Sequence, residues 1–187
     1  MNYDAFEILD LPMRQYIQNE LFAHTIGYLG KPNQDDTGEF INALRNNQVG
    51  KNGLERQYED FLSGTSGEII FEGSKIINFK QPIPGNDLFL SIDSLTQSVV
   101  RESLQQGIEL ANKSFASSSE IKRGAAVVLD IETGNVVSMV SLPDYDPNKF
   151  ITGISDFEYK QLDREQAFNN FAIQGLYPPG SVFKVVA

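Results

Sequence analysis

Tyr177-Pro178-Pro179-Gly180-Ser181-Val182-Phe183-Lys184-Val185-Val186-Ala187 is the stretch from which the rest of the chain is best read. Two prolines and a glycine force a turn, and the apolar run behind them opens with a serine. The segment therefore reads as a loop delivering Ser181 to the start of a helix. Lys184 follows three residues on, a spacing that puts both side chains on one helix face. A lysine amine within hydrogen-bond reach activates a hydroxyl that is inert at its own pKa, which makes Ser181 a candidate nucleophile and Lys184 its general base. The free N–H groups of a helix N-terminus also favour developing negative charge there. The plainer alternative is an N-cap serine with an exposed lysine beyond it. A second Ser-x-x-Lys match, Ser119-Glu120-Ile121-Lys122, lies in a polar run with nothing to hold its ends together, and reads as solvated linker.

Working outward, Ala172-Ile173-Gln174-Gly175-Leu176-Tyr177-Pro178-Pro179-Gly180-Ser181-Val182-Phe183-Lys184 resembles the active-serine segment of the penicillin-binding proteins. Gly50-Lys51-Asn52-Gly53-Leu54-Glu55-Arg56-Gln57-Tyr58-Glu59, Leu90-Ser91-Ile92-Asp93, Val128-Leu129-Asp130-Ile131-Glu132-Thr133-Gly134 and Asp144-Tyr145-Asp146-Pro147-Asn148 are similar, in the same order, to segments of the class B, monofunctional members. The resemblance implies a D,D-transpeptidase that cross-links peptidoglycan. Ser181 would attack the D-alanyl-D-alanine end of a stem peptide and supply one oxyanion N–H, with Lys184 as base and no metal or organic cofactor. β-Lactams would acylate the same oxygen, and other cell-wall synthesis proteins would be partners. The parent would sit at the extracytoplasmic face of the bacterial membrane on a single N-terminal anchor.

The resemblance also marks what this stretch lacks. The family's Ser-x-Asn and Lys-Thr-Gly elements follow the nucleophile, and neither can be assigned here. The expectation is a piece of a longer enzyme, inactive by itself. Two other classes stand beside the transpeptidase: a β-lactamase or β-lactam-sensor relative, and a non-catalytic interaction module of a cell-wall complex. The pedestal-like first half counts against the former.

Composition narrows the field. Among 187 residues, 25 acidic against 15 basic side chains give a net charge of −10. An acidic chain without a basic stripe argues against nucleic acid as a partner. Cysteine is absent and histidine occurs once, at His24, so disulfides, thiolate metal sites and a cysteine nucleophile are excluded and His24 reads as structural. No signal peptide and no apolar run of membrane-spanning length is present, so this stretch is expected to be soluble.

The fold expected is α+β: a mostly antiparallel pedestal (dimerisation) piece over 1–86, then the N-terminal part of a penicillin-binding, β-lactamase-like transpeptidase domain over 87–187. Within the first piece, Ala5–Leu11 reads as a strand, Glu39–Arg45 as a short helix, and Glu68–Glu72 with Lys75–Phe79 as a hairpin. Leu54, Tyr58, Phe61 and Leu62 recur at helical spacing and predict an amphipathic helix with Glu55, Arg56, Glu59 and Asp60 facing away. Gln81–Asn86 is a connection and Asp87–Ile92 a strand. Ser94-Leu95-Thr96-Gln97 reads as a capping box opening a helix that buries Leu95, Val99, Leu104, Ile108 and Ala111. Ala125–Asp130 and Val136–Leu142 form a hairpin, the first strand apolar enough for burial on both faces. Asp144 and Asp146 fit turn chemistry more readily than a metal site, and 156–171 reads as broken helices over the sheet.

Overall fold

The computed structural model describes residues 13–32, 36, 48–65, 67–73, 75–114 and 120–186. The strand expected at Ala5–Leu11, the helix expected at Glu39–Arg45 and Ser119 lie outside them. In the first half a 3-10 helix, Asn19–Phe22, runs into α1 (Ala23–Ile26), and β1 (Leu29–Gly30) pairs antiparallel with β2 (Val49–Gly50). Two short helices follow, α2 (Gly53–Gln57) and α3 (Glu59–Leu62). Next comes an antiparallel hairpin of β3 (Glu68–Glu72) and β4 (Lys75–Lys80), with its register shifted between Ile70 and Phe71. The second half opens with α4 (Ser94–Ser114), continues into the antiparallel hairpin of β5 (Gly124–Leu129) and β6 (Val136–Leu142), and ends in helices α5 (Asn148–Thr152), α6 (Asp156–Arg164) and α7 (Phe171–Gln174) and a 3-10 helix, Gly180–Val185. The α+β expectation, both hairpins and the broken helices behind them are as read from the sequence.

Several local expectations are corrected. The helix expected from Leu54 onward is broken at Tyr58, and its faces follow the expectation only in part: Arg56 and Asp60 face solvent and Leu54 and Leu62 are half-buried, but Glu55 and Glu59 are 3% and 6% exposed whereas Tyr58 and Phe61 are 42% and 44% exposed. The acids are turned inward because partners await them. Arg14 donates to both Glu55 carboxylate oxygens, at 2.8 and 2.9 Å, Tyr16 Oη adds a bond at 3.2 Å, and Glu59 Oε2 accepts the Gly50 N–H at 2.7 Å. Such a buried carboxylate is tolerated only when its charge is paired and its lone pairs are filled.

The capping box is shifted by one residue. Asp93 Oδ1 accepts the Thr96 N–H and hydroxyl at 2.8 and 2.6 Å, which makes Asp93 the cap. This releases Gln97 inward, where it is 1% exposed and bonds four ways: Nε2 donates to the carbonyls of Leu21 and Met139, and Oε1 accepts from Ser138 Oγ and Met139 N. Leu95, expected inside, is 73% exposed, and Val99 is exposed as well, because the inward face runs instead through Gln97, Leu104, Ile108 and Ala111. Asp87–Ile92 is not a strand. Only Ser91 Oγ and Asp93 N reach β6, at the carbonyls of Val136 and Val137, so no ladder forms.

Two-sided burial falls on β6 rather than β5. Ser138 faces Gln97 of α4, while Ser141, on the opposite pleat, faces α7 through the Phe171 N–H. Leu104 and Ile108 of α4 pack against the Gly124 end of β5, and Val127, Val128 and Leu129 are exposed. Asp146 behaves as the expected turn residue, its Oδ1 accepting the Asn148 N–H, whereas Asp144 instead forms a bidentate ion pair with Arg101 at 2.6 and 3.2 Å. Among the described residues no group of three or more His, Cys, Asp or Glu is placed to hold a metal ion, and no helix is long and apolar enough to cross a membrane.

Candidate active site

The serine turn follows α7, a short helix anchored at its N-terminus. Asn170 caps this helix, its Oδ1 accepting the Ala172 N–H at 3.1 Å. Phe171 N donates to Ser141 Oγ at 2.9 Å, and that hydroxyl donates onward to the Asn169 carbonyl at 3.2 Å. Arg123 bonds Gln166 and sets its guanidinium 5.8 Å from the Phe171 ring centroid. After α7 the chain doubles back at Gly175, where a Cβ would lie 2.4 Å from Tyr177 Cε2 and 2.5 Å from the Phe171 carbonyl oxygen, so no side chain fits. Tyr177 then lines a groove with Leu104, Ile108 and Gly124.

Gly180 opens the 3-10 helix Gly180–Val185 at φ +53°, a conformation that costs residues with a Cβ about 1 kcal/mol or more. Ser181 and Lys184 lie on this helix three residues apart, and three residues complete one 3-10 turn, so the two positions share an edge. Both side chains are exposed. The helix is 3-10 rather than α, and its N-cap is Pro179 with no side-chain cap, so Ser181 does not act as the N-cap residue of the plainer reading.

The segment ahead of α7 meets the first half of the chain. His24 Nε2 lies 2.8 Å from the Ala167 carbonyl oxygen, which makes it the donor, and Asn170 Nδ2 donates to the His24 carbonyl at 3.3 Å. Burial lowers the His24 pKa, while the Ala167 carbonyl and the Asp144 charge act in the other direction. Tyr145 anchors the same joint. Its ring takes the edges of His24, Tyr28, Phe150 and Phe168, and its hydroxyl receives the Asn52 amide at 3.0 Å and donates to the Ala23 carbonyl at 3.2 Å. Burial raises the Tyr145 pKa, and pushes that of Tyr28, stacked on Phe150 at 3.9 Å, up to about 12. Asn148 closes the joint by exchanging two bonds of 2.9 Å with the Tyr16 backbone. His24 is structural, as its sequence context suggests, whereas nothing in the sequence pattern singles out Ser141 or Asn52. The Asn170-Phe171-Ala172 cap does carry a signal, since an Asn before a short apolar run marks a helix start.

A hairpin-centred second half thus ends in a Ser-x-x-Lys helix and is joined through a polar seam to a small antiparallel first half. The chain belongs to the penicillin-binding proteins: residues 1–90 match the penicillin-binding protein dimerisation domain and residues 124–187 the penicillin-binding protein transpeptidase domain. Among individual proteins, it is 37% identical over 181 residues to the peptidoglycan D,D-transpeptidase MrdA of Acinetobacter baumannii, a match covering 91% of this chain and 25% of that protein. The crystal structure of Pseudomonas aeruginosa PBP2 in complex with WCK 5153 superposes with a TM-score of 0.72 at 38% identity, over 92% of this chain and 33% of that one. PBP2 of Helicobacter pylori in its complex with MreC gives 0.70 at 29% identity, over 92% and 31%. The chain thus spans about a quarter of the length of the curated relative.

Proposed function

We propose that the protein carrying this chain is a serine-type D,D-transpeptidase of peptidoglycan synthesis, with Ser181 as nucleophile and Lys184 as general base. The observation that carries the reading is the Ser181-x-x-Lys184 pair lying within the segment that matches the transpeptidase domain, in one chain with a dimerisation-domain match. Neutral Lys184 Nζ takes the Ser181 proton while Oγ attacks the carbonyl of the penultimate D-alanine of a stem peptide. The Ser181 N–H stabilises the resulting oxyanion, a contribution commonly worth about 3 kcal/mol. Collapse of that intermediate breaks the C–N bond, and the departing nitrogen of terminal D-alanine takes the proton held by Lys184, leaving as the free amine and returning the lysine to its neutral form. An amine of a neighbouring stem then resolves the acyl-serine and restores the hydroxyl. The chemistry uses no metal or organic cofactor, and β-lactams acylate the same oxygen.

The reaction belongs outside the cytoplasm, at the outer face of the bacterial cell membrane, with the whole protein held there by an N-terminal anchor. The Helicobacter relative in complex with MreC supports a cell-wall partner for this protein too. We set the division between the two domains at 86/87. Thr65 pairs with Ile83, and Asn86 bonds back to the Phe61 carbonyl, whereas Ser91 and Asp93 bond forward to β6.

Labelling of the full-length gene product with a fluorescent penicillin tests the reading. Covalent label that vanishes in Ser181→Ala is expected. A folded full-length protein that takes no label would leave only the non-catalytic interaction module.

A further inference from the structure

The Ser181 helix is held from behind. Leu176, Tyr177 and Phe183 are largely exposed, as are Ser181 and Lys184, so packing of the turn itself does little to fix it. Helix α7, which feeds it, is a single turn, too short to hold its shape by its own hydrogen bonds. What places α7 is its lead-in, where Ala167 and Asn170 are buried. One support is β6, through Ser141 Oγ to the Phe171 N–H. The other comes from α1, in the half that matches the dimerisation domain: the His24 ring donates to the Ala167 carbonyl, and the His24 carbonyl receives the Asn170 amide.

We propose that His24 and Asn170 are positioning residues for acylation of Ser181, through which the dimerisation half sets the place of the serine turn. The inference rests on the transpeptidase reading above. Asn170 is the coupling point because one side chain does two jobs: Oδ1 caps α7 while Nδ2 ties that cap to His24. Displacing His24 therefore moves the start of α7 without uncapping it. Gly175, whose close approach to both Tyr177 and Phe171 allows no slack, passes the movement toward Ser181. Acylation depends steeply on such placement, a misplacement of about 1 Å costing about a hundredfold in rate.

Asn170→Asp separates the two jobs, since the carboxylate keeps the capping oxygen but turns an oxygen in place of the amide toward the His24 carbonyl. In the full-length protein, the first-order acylation constant at saturating fluorescent penicillin is expected to fall about tenfold in Asn170→Asp, with the dissociation constant of the pre-covalent complex unchanged within about twofold. His24→Ala is expected to behave likewise, and His24→Gln, whose Nε2 can still reach the Ala167 carbonyl, to recover most of the rate. A purely structural role would lower the melting temperature of these variants and leave the acylation constant of the folded protein alone. Folded Asn170→Asp and His24→Ala proteins that acylate at the wild-type rate, or a His24→Gln protein as slow as His24→Ala, would overturn the proposal. Should Asn170→Asp fail to fold, the two His24 variants decide the matter. A wild-type protein that takes no label overturns the transpeptidase reading and this inference with it, whereas a labelled wild type with unaffected variants overturns this inference alone.

Discussion

The joint between the two halves and the serine turn are built on opposite plans. At the joint, Asn52, Glu55, Glu59, Gln97 and Asn148 turn polar groups inward and fill them, and among the described residues no buried side-chain nitrogen or oxygen lacks a partner. Along the turn, large apolar side chains stand in solvent and the proposed nucleophile and base, Ser181 and Lys184, are exposed. A buried polar network is costly to leave half-satisfied, so the joint is where this chain's stability is most easily lost. The turn offers little to lose. Stability and reactivity are therefore expected to respond to different residues, and the contrast can be broken one residue at a time.

The largest expected effect is at Glu55. Replacing it with Ala strips the Arg14 guanidinium and the Tyr16 hydroxyl of their shared acceptor, and should cost about 3 kcal/mol, less than for a fully buried pair because Arg14 is half open to water. Urea unfolding of wild type and variant measures it, and a loss under about 1 kcal/mol would mean that the joint is not the stabilising region. Next comes Gln97→Ala, which leaves Ser138 Oγ, the Met139 N–H and two carbonyls without their amide and is expected to cost about 2 kcal/mol in the same experiment.

These two residues also explain what was legible in the sequence. The Pro-Pro-Gly turn, both hairpins and the Ser-x-x-Lys spacing are local patterns, each decided within about ten residues, and they were readable. Helical periodicity sorts residues by polarity and so sends Glu55 and Glu59 to solvent, and nothing near Glu55 in sequence announces Arg14 and Tyr16 as its partners. Gln97 was read as half of a cap for the same reason: the local motif was plausible, and the competing partners on β6 lay some forty residues away. Asp87–Ile92 has strand composition but meets no neighbouring ladder. Ser181 and Lys184 stand out as candidates because they lie within one turn, whereas His24 and Asn170 are 146 residues apart and meet only once the chain has folded.

A smaller effect is expected from pH at His24. Its pKa is lowered by burial, so in the range just below the ordinary histidine value of 6.5 the unfolded chain binds a proton that the folded one refuses. The contribution is fully present above that value and lost as pH falls beneath it. Asp144, itself paired with Arg101, and the Ala167 carbonyl soften the penalty without reversing it. Glu59 has the opposite sign, because burial raises its carboxyl pKa, so the raw pH profile mixes several groups. The difference between wild type and His24→Gln isolates the histidine. Unfolding free energies at pH 8 and pH 5 should fall more steeply in wild type, and parallel slopes would show that His24 titrates freely.

The smallest expected change in stability is at the proposed nucleophile. Ser181→Ala removes an exposed hydroxyl from a 3-10 helix that it does not cap, so unfolding should shift by no more than about 0.5 kcal/mol. A helix N-terminus capped by serine would lose about 1 kcal/mol on the same change, so the measurement also discriminates between the two readings of the position. A near-zero shift, measured on the full-length protein alongside complete loss of penicillin label, separates the residue's reactive role from a structural one. A loss of 1 kcal/mol or more would place Ser181 among the groups that hold the chain together and erase the contrast between turn and joint.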